Sequence, residues 1–336
     1  MPQLTAMRIL LFRTDRLGDV VISSTMVEAT RRAYPKATVF FCAKQAYGPL
    51  LFAPDEAQYF LPWEAQTAQS LAAGNFDLSI HLHPDPACAQ LAAEAGIPQR
   101  VGYANDAQWL TQTIPYNKDA GLIHERDYCL ELVQAVLPEV REASQPKLPL
   151  TPWSIFRAEP TIVIHCGSFG AKAKLPPALL AQLAKAAIDS GQLPQSGPAK
   201  VALIGTPEER HIADDTAAAI RQLGIPVENL AGDLPLPGLA EFISRAALFI
   251  GRDSGPAHIA AATGCPTFCI FPVTRSDVFP ARWHPLGEHV QVFEVPAKPW
   301  PWQKNAAAAE KAFHRIDHSA ITNSLSSILQ RSYTSE

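Results

Sequence analysis

The chain has 336 residues, 47% of them hydrophobic and 18% charged, with a formal net charge of −4. A single core stops growing at about 250–300 residues, so two domains are expected, and the apolar content excludes a mainly disordered chain. Neither half is basic, which excludes a general nucleic-acid binder, because phosphate contacts need a cationic surface.

Short apolar runs alternate with amphipathic stretches from the N-terminus onward. Met7–Phe12 predicts a buried strand and Asp19–Tyr34 a helix closed by Pro35. Ala37–Ala43 and Phe76–Leu82 predict strands, Pro86–Ala95 a helix, Arg100–Tyr103 a short strand and His124–Leu137 a helix. The segment Pro138–Pro160, with Pro146, Pro149 and Pro152 between, is the best linker candidate. The pattern then restarts. Thr161–His165, Lys200–Gly205, Val227–Leu230, Leu248–Gly251 and Pro266–Phe271 predict strands. Pro176–Ser190, Pro207–Leu223 and Leu236–Ala246 predict helices, another opens near Ser254–Gly255, and Ala306–Leu329 is helical in character.

Two successive β-α-β runs imply an α/β chain with two doubly wound parallel sheets, one in residues 1–150 and one in 151–336. Ligands of such sheets bind at the carboxyl ends of strands and at helix N-termini, and two facing domains make a cleft. No apolar run approaches the roughly 20 residues that span a bilayer, and MPQLTAMRILLF is too short for a signal peptide, so a cytoplasmic protein is expected. The six cysteines are scattered without a Cys-x-x-Cys and predict buried free thiols.

Four segments could carry chemistry. Arg13-Thr14-Asp15-Arg16-Leu17-Gly18-Asp19 forms the first strand-to-helix turn. Gly18 there permits a close backbone approach or an unusual φ. Asp19 is either a helix cap or a general base kept ionised by the helix dipole. His165–Lys174 is a small-residue loop whose Ser168, Lys172 and Lys174 suit a phosphate, with a structural turn as the plain alternative; its ending is not that of a Walker loop. Gly251–Ala260 offers an anion site at a helix N-terminus, with Ser254 and Gly255 beside it and Asp253 orienting a hydroxyl-rich ligand; otherwise it is an N-cap and a core helix. Its Asp-Ser-Gly run matches a trypsin-type nucleophile loop, which the α/β pattern and the missing second glycine exclude. His81 and His83 share a strand face, as in metal-dependent amidohydrolases, with His165 and Asp253 as further ligands on paper. That fold needs eight uniform repeats, and the mid-chain linker argues against it. No Asp-x-Asp and no Gly-x-Gly-x-x-Gly occurs, so neither a metal bridging a diphosphate nor a dinucleotide cofactor is signalled.

In combination, RILLFRTDRLGDVVIS, FDLSIHLHPD followed by RVGY, and LFIGRDSGPAHIAAATGCPTFCIFP resemble glycosyltransferase family 9, the bacterial heptosyltransferases of lipopolysaccharide core assembly. The resemblance covers most of residues 7–280. It implies a GT-B architecture of two Rossmann-like domains facing across a cleft, the first for the acceptor and the second for the nucleotide sugar. It implies inverting, metal-independent transfer without a cofactor from a nucleoside-diphosphate sugar, commonly ADP-heptose, to a glycan or glycolipid. It also admits a peripheral place at the cytoplasmic face of the inner membrane. By position, Asp19 would be the base, with Arg13, Arg16 and Gly18 on the acceptor side. Lys172 or Lys174 would neutralise the diphosphate, Glu209 would bind ribose, and Asp253, Ser254, Gly255 and His258 would hold the donor. A GT-B epimerase or hydrolase of sugar nucleotides, a non-catalytic carbohydrate binder and an amidohydrolase are the alternatives.

One departure concerns the acceptor. Residues 45–99 contain no Lys or Arg but six acids: Asp55, Glu56, Glu64, Asp77, Asp85 and Glu94. The family's early-core acceptors are anionic and are held there by basic side chains. The expectation for this chain is an acidic surface that prefers a neutral glycan.

Overall fold

The computed structural model describes residues 6–150, 160–167, 174–194, 196–273, 280–296 and 305–334. The chain divides into two compact units, Met1–Pro149 and Leu150–Glu336.

Unit 1 holds strands β1 (Arg8–Phe12), β2 (Thr38–Ala43), β3 (Phe60–Pro62), β4 (Leu78–His81), β5 (Gln99–Tyr103) and β6 (Gln112–Ile114). Its helices are α1 (Leu17–Ser23), α2 (Thr25–Ala33), α3 (Gly48–Leu51), α4 (Ala68–Ala73), α5 (Pro86–Glu94) and α6 (Glu125–Gln134). The strands form one parallel sheet in the order β3-β2-β1-β4-β5-β6. β1 is apolar because both its faces are covered: Ile9 and Leu11 pack in one core, Leu10 and Phe12 in another.

Unit 2 holds β7 (Thr161–His165), β8 (Lys200–Ile204), β9 (Val227–Asn229), β10 (Leu248–Arg252), β11 (Thr267–Val273) and β12 (Val290–Pro296). Its helices are α7 (Pro177–Asp189), α8 (Arg210–Gln222), α9 (Leu236–Ser244), α10 (Gly255–Ala262), α11 (Pro280–Trp283), α12 (Asn305–Phe313) and α13 (His318–Thr334). Its parallel sheet runs β12-β11-β10-β7-β8-β9. Numbered within the unit, that is the same Rossmann order as in unit 1. Each sheet reverses its winding between its first and fourth strands, and ligands of doubly wound sheets bind beyond the strand ends there. The α/β reading of two doubly wound sheets therefore holds, and two open sheets rule out the barrel of an amidohydrolase.

Several boundaries differ from expectation for local reasons. The helix expected over Asp19–Tyr34 is two, because Ser24 Oγ donates to the Val21 carbonyl and Thr25 Oγ1 to that of Ile22, at the junction. The helix expected from Pro207 starts at Arg210, because Glu209 folds back to accept from the Thr206 N–H in a capping box. The C-terminal helix is broken before Asp317, which caps α13 through the N–H groups of Ser319 and Ala320. Strands β3, β6 and β12 were not expected. Gly18 sits inside α1 rather than at a left-handed position, so the unusual φ is not realised. All six cysteines are buried free thiols.

Candidate active site

In unit 1, chemistry gathers at the switch point between β1 and β4. Arg13 follows β1 and is 1% exposed. Its guanidinium donates through Nε and Nη2 to both oxygens of Asp15, at 2.8 and 3.0 Å, and through Nη2 to Asp19 Oδ1 at 2.7 Å. Nη1 reaches Glu125 Oε1 at 2.8 Å and the Leu82 carbonyl at 3.2 Å. All five N–H donors of the fork are thereby engaged. Burial alone would lower the Arg13 pKa, but Asp15, Glu125 and Asp19 outweigh it and hold it well above its usual value. The donors of Arg13 are thus taken by the Asp15, Asp19 and Glu125 carboxylates and the Leu82 carbonyl. Arg16, one turn earlier than Asp19 and at the N-cap of α1, is exposed.

Behind Arg13 lies a second buried pair, Lys118 with Glu125; the sequence marks Glu125 only through the loose resemblance of His124-Glu125 to the His-x-x-Glu region of glycosyltransferase family 9, and does not mark Lys118. His124 accepts from the Arg126 N–H and starts α6, which makes Glu125 its first residue. Lys118 Nζ donates to Glu125 Oε1 at 2.6 Å, and both side chains are 1% exposed. The ammonium also lies 4.6 Å from the centre of the Tyr103 ring. Lys118 has no periodic or motif signal, and Glu125 meets Arg13 across 112 residues of chain.

On the β4 side, Asp85 caps α5 and accepts from Thr14 Oγ1 at 2.6 Å. Burial would raise its pKa, but the hydrogen bonds from Thr14 and Cys88 lower it. His81 stacks on Phe12 and its Nε2 pairs with Ser79, while burial drives its pKa to about 3. It is a core histidine. No cluster of three metal-ligating side chains occurs among the described residues.

Most carboxylates of the acidic stretch have hydrogen-bond partners, and one is paired with a fixed cation. Glu56 pairs with Arg31 at 2.7 Å, Glu64 accepts from the Gln45 N–H, and Glu94 accepts from Gln90. Asp77 accepts from the Arg8 N–H at the starting edge of the sheet, the end away from Asp19. Of the six, Glu64 and Asp85 lie near the carboxyl ends of the strands, where both act on the Cys42 thiol.

In unit 2, Glu209 gathers the loops after β7 and β8. Its Oε2 accepts from the Thr206 N–H at 2.8 Å and lies 3.5 Å from His165 Nε2. The hydrogen bond from His165 is the largest cause holding the Glu209 carboxyl down at about 2, against an opposing push from burial; Lys174 contributes its charge. A Cβ at Gly167 would overlap this carboxylate, so the loop needs glycine there. Lys174 is exposed. Ser168 and Lys172 lie outside the described residues.

The other expected cluster surrounds the start of α10. Asp253 Oδ1 lies 3.5 Å from the buried His258 Nε2. Ser254 occupies the N-cap position, yet its hydroxyl caps nothing and its Oγ is buried without a partner. Gly255 is the first residue of α10. His165 Nδ1 is also unpartnered. So are Nε and Nη1 of Arg252, a residue 2% exposed at the end of β10 that sequence reasoning passed over. Burial lowers its pKa to about 10, so it stays charged, and its guanidinium lies 5.4 Å from the Phe313 ring centre. Its one sequence signal is a cation closing an otherwise apolar strand, LFIGR.

Comparison with known proteins adds four findings. Residues 65–312 match the family model for glycosyltransferase family 9 (heptosyltransferase). The lipopolysaccharide heptosyltransferase 2 of Escherichia coli strain K12 is 24% identical over 307 residues, which cover 83% of this chain and 86% of that protein. Among solved structures, E. coli ADP-heptose lps heptosyltransferase II superposes with a TM-score of 0.75 at 21% identity, covering 97% of this chain and 99% of that one. A family 9 glycosyltransferase from Veillonella parvula DSM 2008 gives 0.76 at 18% identity, with 98% and 99% covered.

Proposed function

This chain belongs to glycosyltransferase family 9, the heptosyltransferase family, and from that premise we propose that it transfers heptose from ADP-heptose to a lipopolysaccharide-core glycan by an inverting, metal-independent displacement. The observation that carries the reading is the Asp19 carboxylate, held at the carboxyl end of β1 by a guanidinium whose other donors are all engaged. A base must be fixed in direction and ionised at working pH, and this pairing supplies both.

In the proposed reaction, Asp19 takes the proton of an acceptor hydroxyl as its oxygen attacks the anomeric carbon of the donor. The bond from that carbon to the leaving diphosphate breaks on the opposite face, and the configuration inverts. Negative charge then grows on the nucleoside diphosphate. Lys174, with Lys172 as the undecided alternative, and the N-terminus of α10 at Gly255 are suited to it. Glu209 suits the ribose hydroxyls. Asp253, Ser254 and His258 suit the donor sugar and phosphates, and the unpartnered Ser254 hydroxyl supports this. Arg16, exposed at the N-cap of α1, suits the acceptor side. The reading places the reaction in the cytoplasm, with a glycolipid acceptor at the inner membrane. No helix among the described residues is long and apolar enough to cross a membrane.

The test is Asp19→Asn, assayed with ADP-heptose and a heptose-deficient core acceptor. It should keep the fold and donor binding while turnover drops by roughly 10²–10⁴. Undiminished turnover in the folded variant refutes the assignment of the base.

A further inference from the structure

We propose that Lys118 and Glu125 set the charge state of the Asp19 carboxylate through Arg13 and are positioning residues for the transfer. The inference rests on Asp19 being the base. Its ground is a continuous buried chain: Lys118 Nζ to Glu125 Oε1 at 2.6 Å, Glu125 Oε1 to Arg13 Nη1 at 2.8 Å, and Arg13 Nη2 to Asp19 Oδ1 at 2.7 Å.

Three features make this more than a structural clamp. One oxygen of Glu125 is shared by two cations, so the pull of Glu125 on Arg13 depends on Lys118. Lys118, Glu125 and Arg13 are each at most 1% exposed as residues, which removes the water that would otherwise screen them. The five ionisable groups Arg13, Lys118, Asp15, Asp19 and Glu125 carry two positive and three negative charges, leaving one excess negative charge in the set. Removing one buried charge therefore changes the field at Asp19 with a sign that can be stated in advance.

Other groups face the same carboxylate. Tyr47 and Glu64, from the loops after β2 and β3, share its electrostatic neighbourhood, and burial followed by Asp15, Asp19 and Glu64 raises the tyrosine. His83 and Asp85 follow β4; burial, then Arg13, lowers the histidine. Cys129 on α6 is held up by burial as a neutral thiol. Cys129 and His83 also feel Lys118, and Cys129 feels Glu125, so the titration of Asp19 is read together with that of His83, while the Cys129 thiol stays neutral.

The experiment titrates Asp19 in the full-length chain by the ¹³C shift of its side-chain carboxyl, assigned by its absence in Asp19→Asn. Lys118→Met removes a positive charge and should move the midpoint up by about half a unit or more. Glu125→Gln removes a negative charge and should move it down by a similar amount. The double variant Lys118→Met/Glu125→Gln should return it close to the starting value, and Lys118→Arg should leave it unmoved. The acidic limb of kcat/KM for transfer from ADP-heptose should move with each midpoint. Shifts in the same direction for both single variants would show only loosening of the site, and an unmoved midpoint would show no coupling; either overturns the proposal. Should Glu125→Gln fail to fold, the contrast of Lys118→Met with Lys118→Arg decides. If Asp19→Asn keeps its turnover while the midpoints shift as stated, the base reading falls and the charge coupling stands.

Discussion

The two sheets share one strand order and one switch point, yet they treat buried arginine in opposite ways. Arg13, at the end of β1, has every N–H donor paired and is flanked by three carboxylates. Arg252, at the end of β10, is equally buried and leaves Nε and Nη1 without partners. A buried charge that is fully paired is fixed in place by the fold, whereas one left unpaired costs stability and is retained for some other reason. The difference lies in the two arginine sites: the one beside Asp19 is fully paired, while that of unit 2 keeps polar atoms in reserve at Arg252, Ser254 Oγ and His165 Nδ1, although His81 Nδ1 and His83 Nδ1 of unit 1 are also without partners. Under the proposed function this fits the roles, because a base must be ready before the acceptor arrives, and a donor site must be completed by the donor.

Substitutions can break this contrast. Arg13→Met strands the carboxylates of Asp15, Asp19 and Glu125 and should cost about 3–5 kcal/mol in urea unfolding. A cost below about 1 kcal/mol would mean that the network is not holding unit 1 together. The next effect is pH-dependent. Glu209 is depressed from 4.5 to about 2 in the folded chain, chiefly by His165. Its contribution is present above pH 4.5 and lost as pH falls toward 2. With allowance for solvent screening it amounts to roughly 1–2 kcal/mol. Comparing unfolding free energies at pH 5.5 and 3 for the parent and Glu209→Gln should show a shallower loss in the variant.

Arg252→Met tests the other side of the comparison and carries the opposite sign. Replacing an unpaired buried guanidinium by an apolar chain should raise the unfolding free energy by about 1 kcal/mol. Destabilisation by that amount or more would show that the Phe313 contact, not an open valence, accounts for Arg252. The smallest expected effect is none. If the cations of unit 2 carry the charge of the leaving diphosphate, transfer should be unchanged in excess EDTA. Complete loss, restored by Mg²⁺ or Mn²⁺, would put a metal in that role.

What the sequence made readable follows from the range of the forces involved. β7 was placed to the residue because TIVIH is an apolar run covered on both faces. β3 and β6 escaped because each has three residues at a sheet edge and little burial to mark it. Asp19 stood out through its neighbours in the chain, Leu17 and Gly18. The buried partners of Arg13 stood out less, Glu125 only by a loose resemblance and Lys118 not at all, because they are brought to it by the closing of β4 and α6 around β1. Glu209 could be nominated by position, but its double use as cap and as partner of His165 needed the fold. In the acidic stretch, composition counts the charges but does not reveal that Glu56 is paired with Arg31 or that Asp77 lies at the far end of the sheet.

The buried thiols have a practical consequence. Cys42, Cys88 and Cys129 lie in unit 1, and Cys166, Cys265 and Cys269 in unit 2, all shielded and all pushed by burial toward the unreactive protonated form. A thiol reagent can reach them only when the surrounding structure opens. The chain thus carries two sets of three internal probes, and mass spectrometry of the labelled peptides would time the opening of each unit separately, without any added tag.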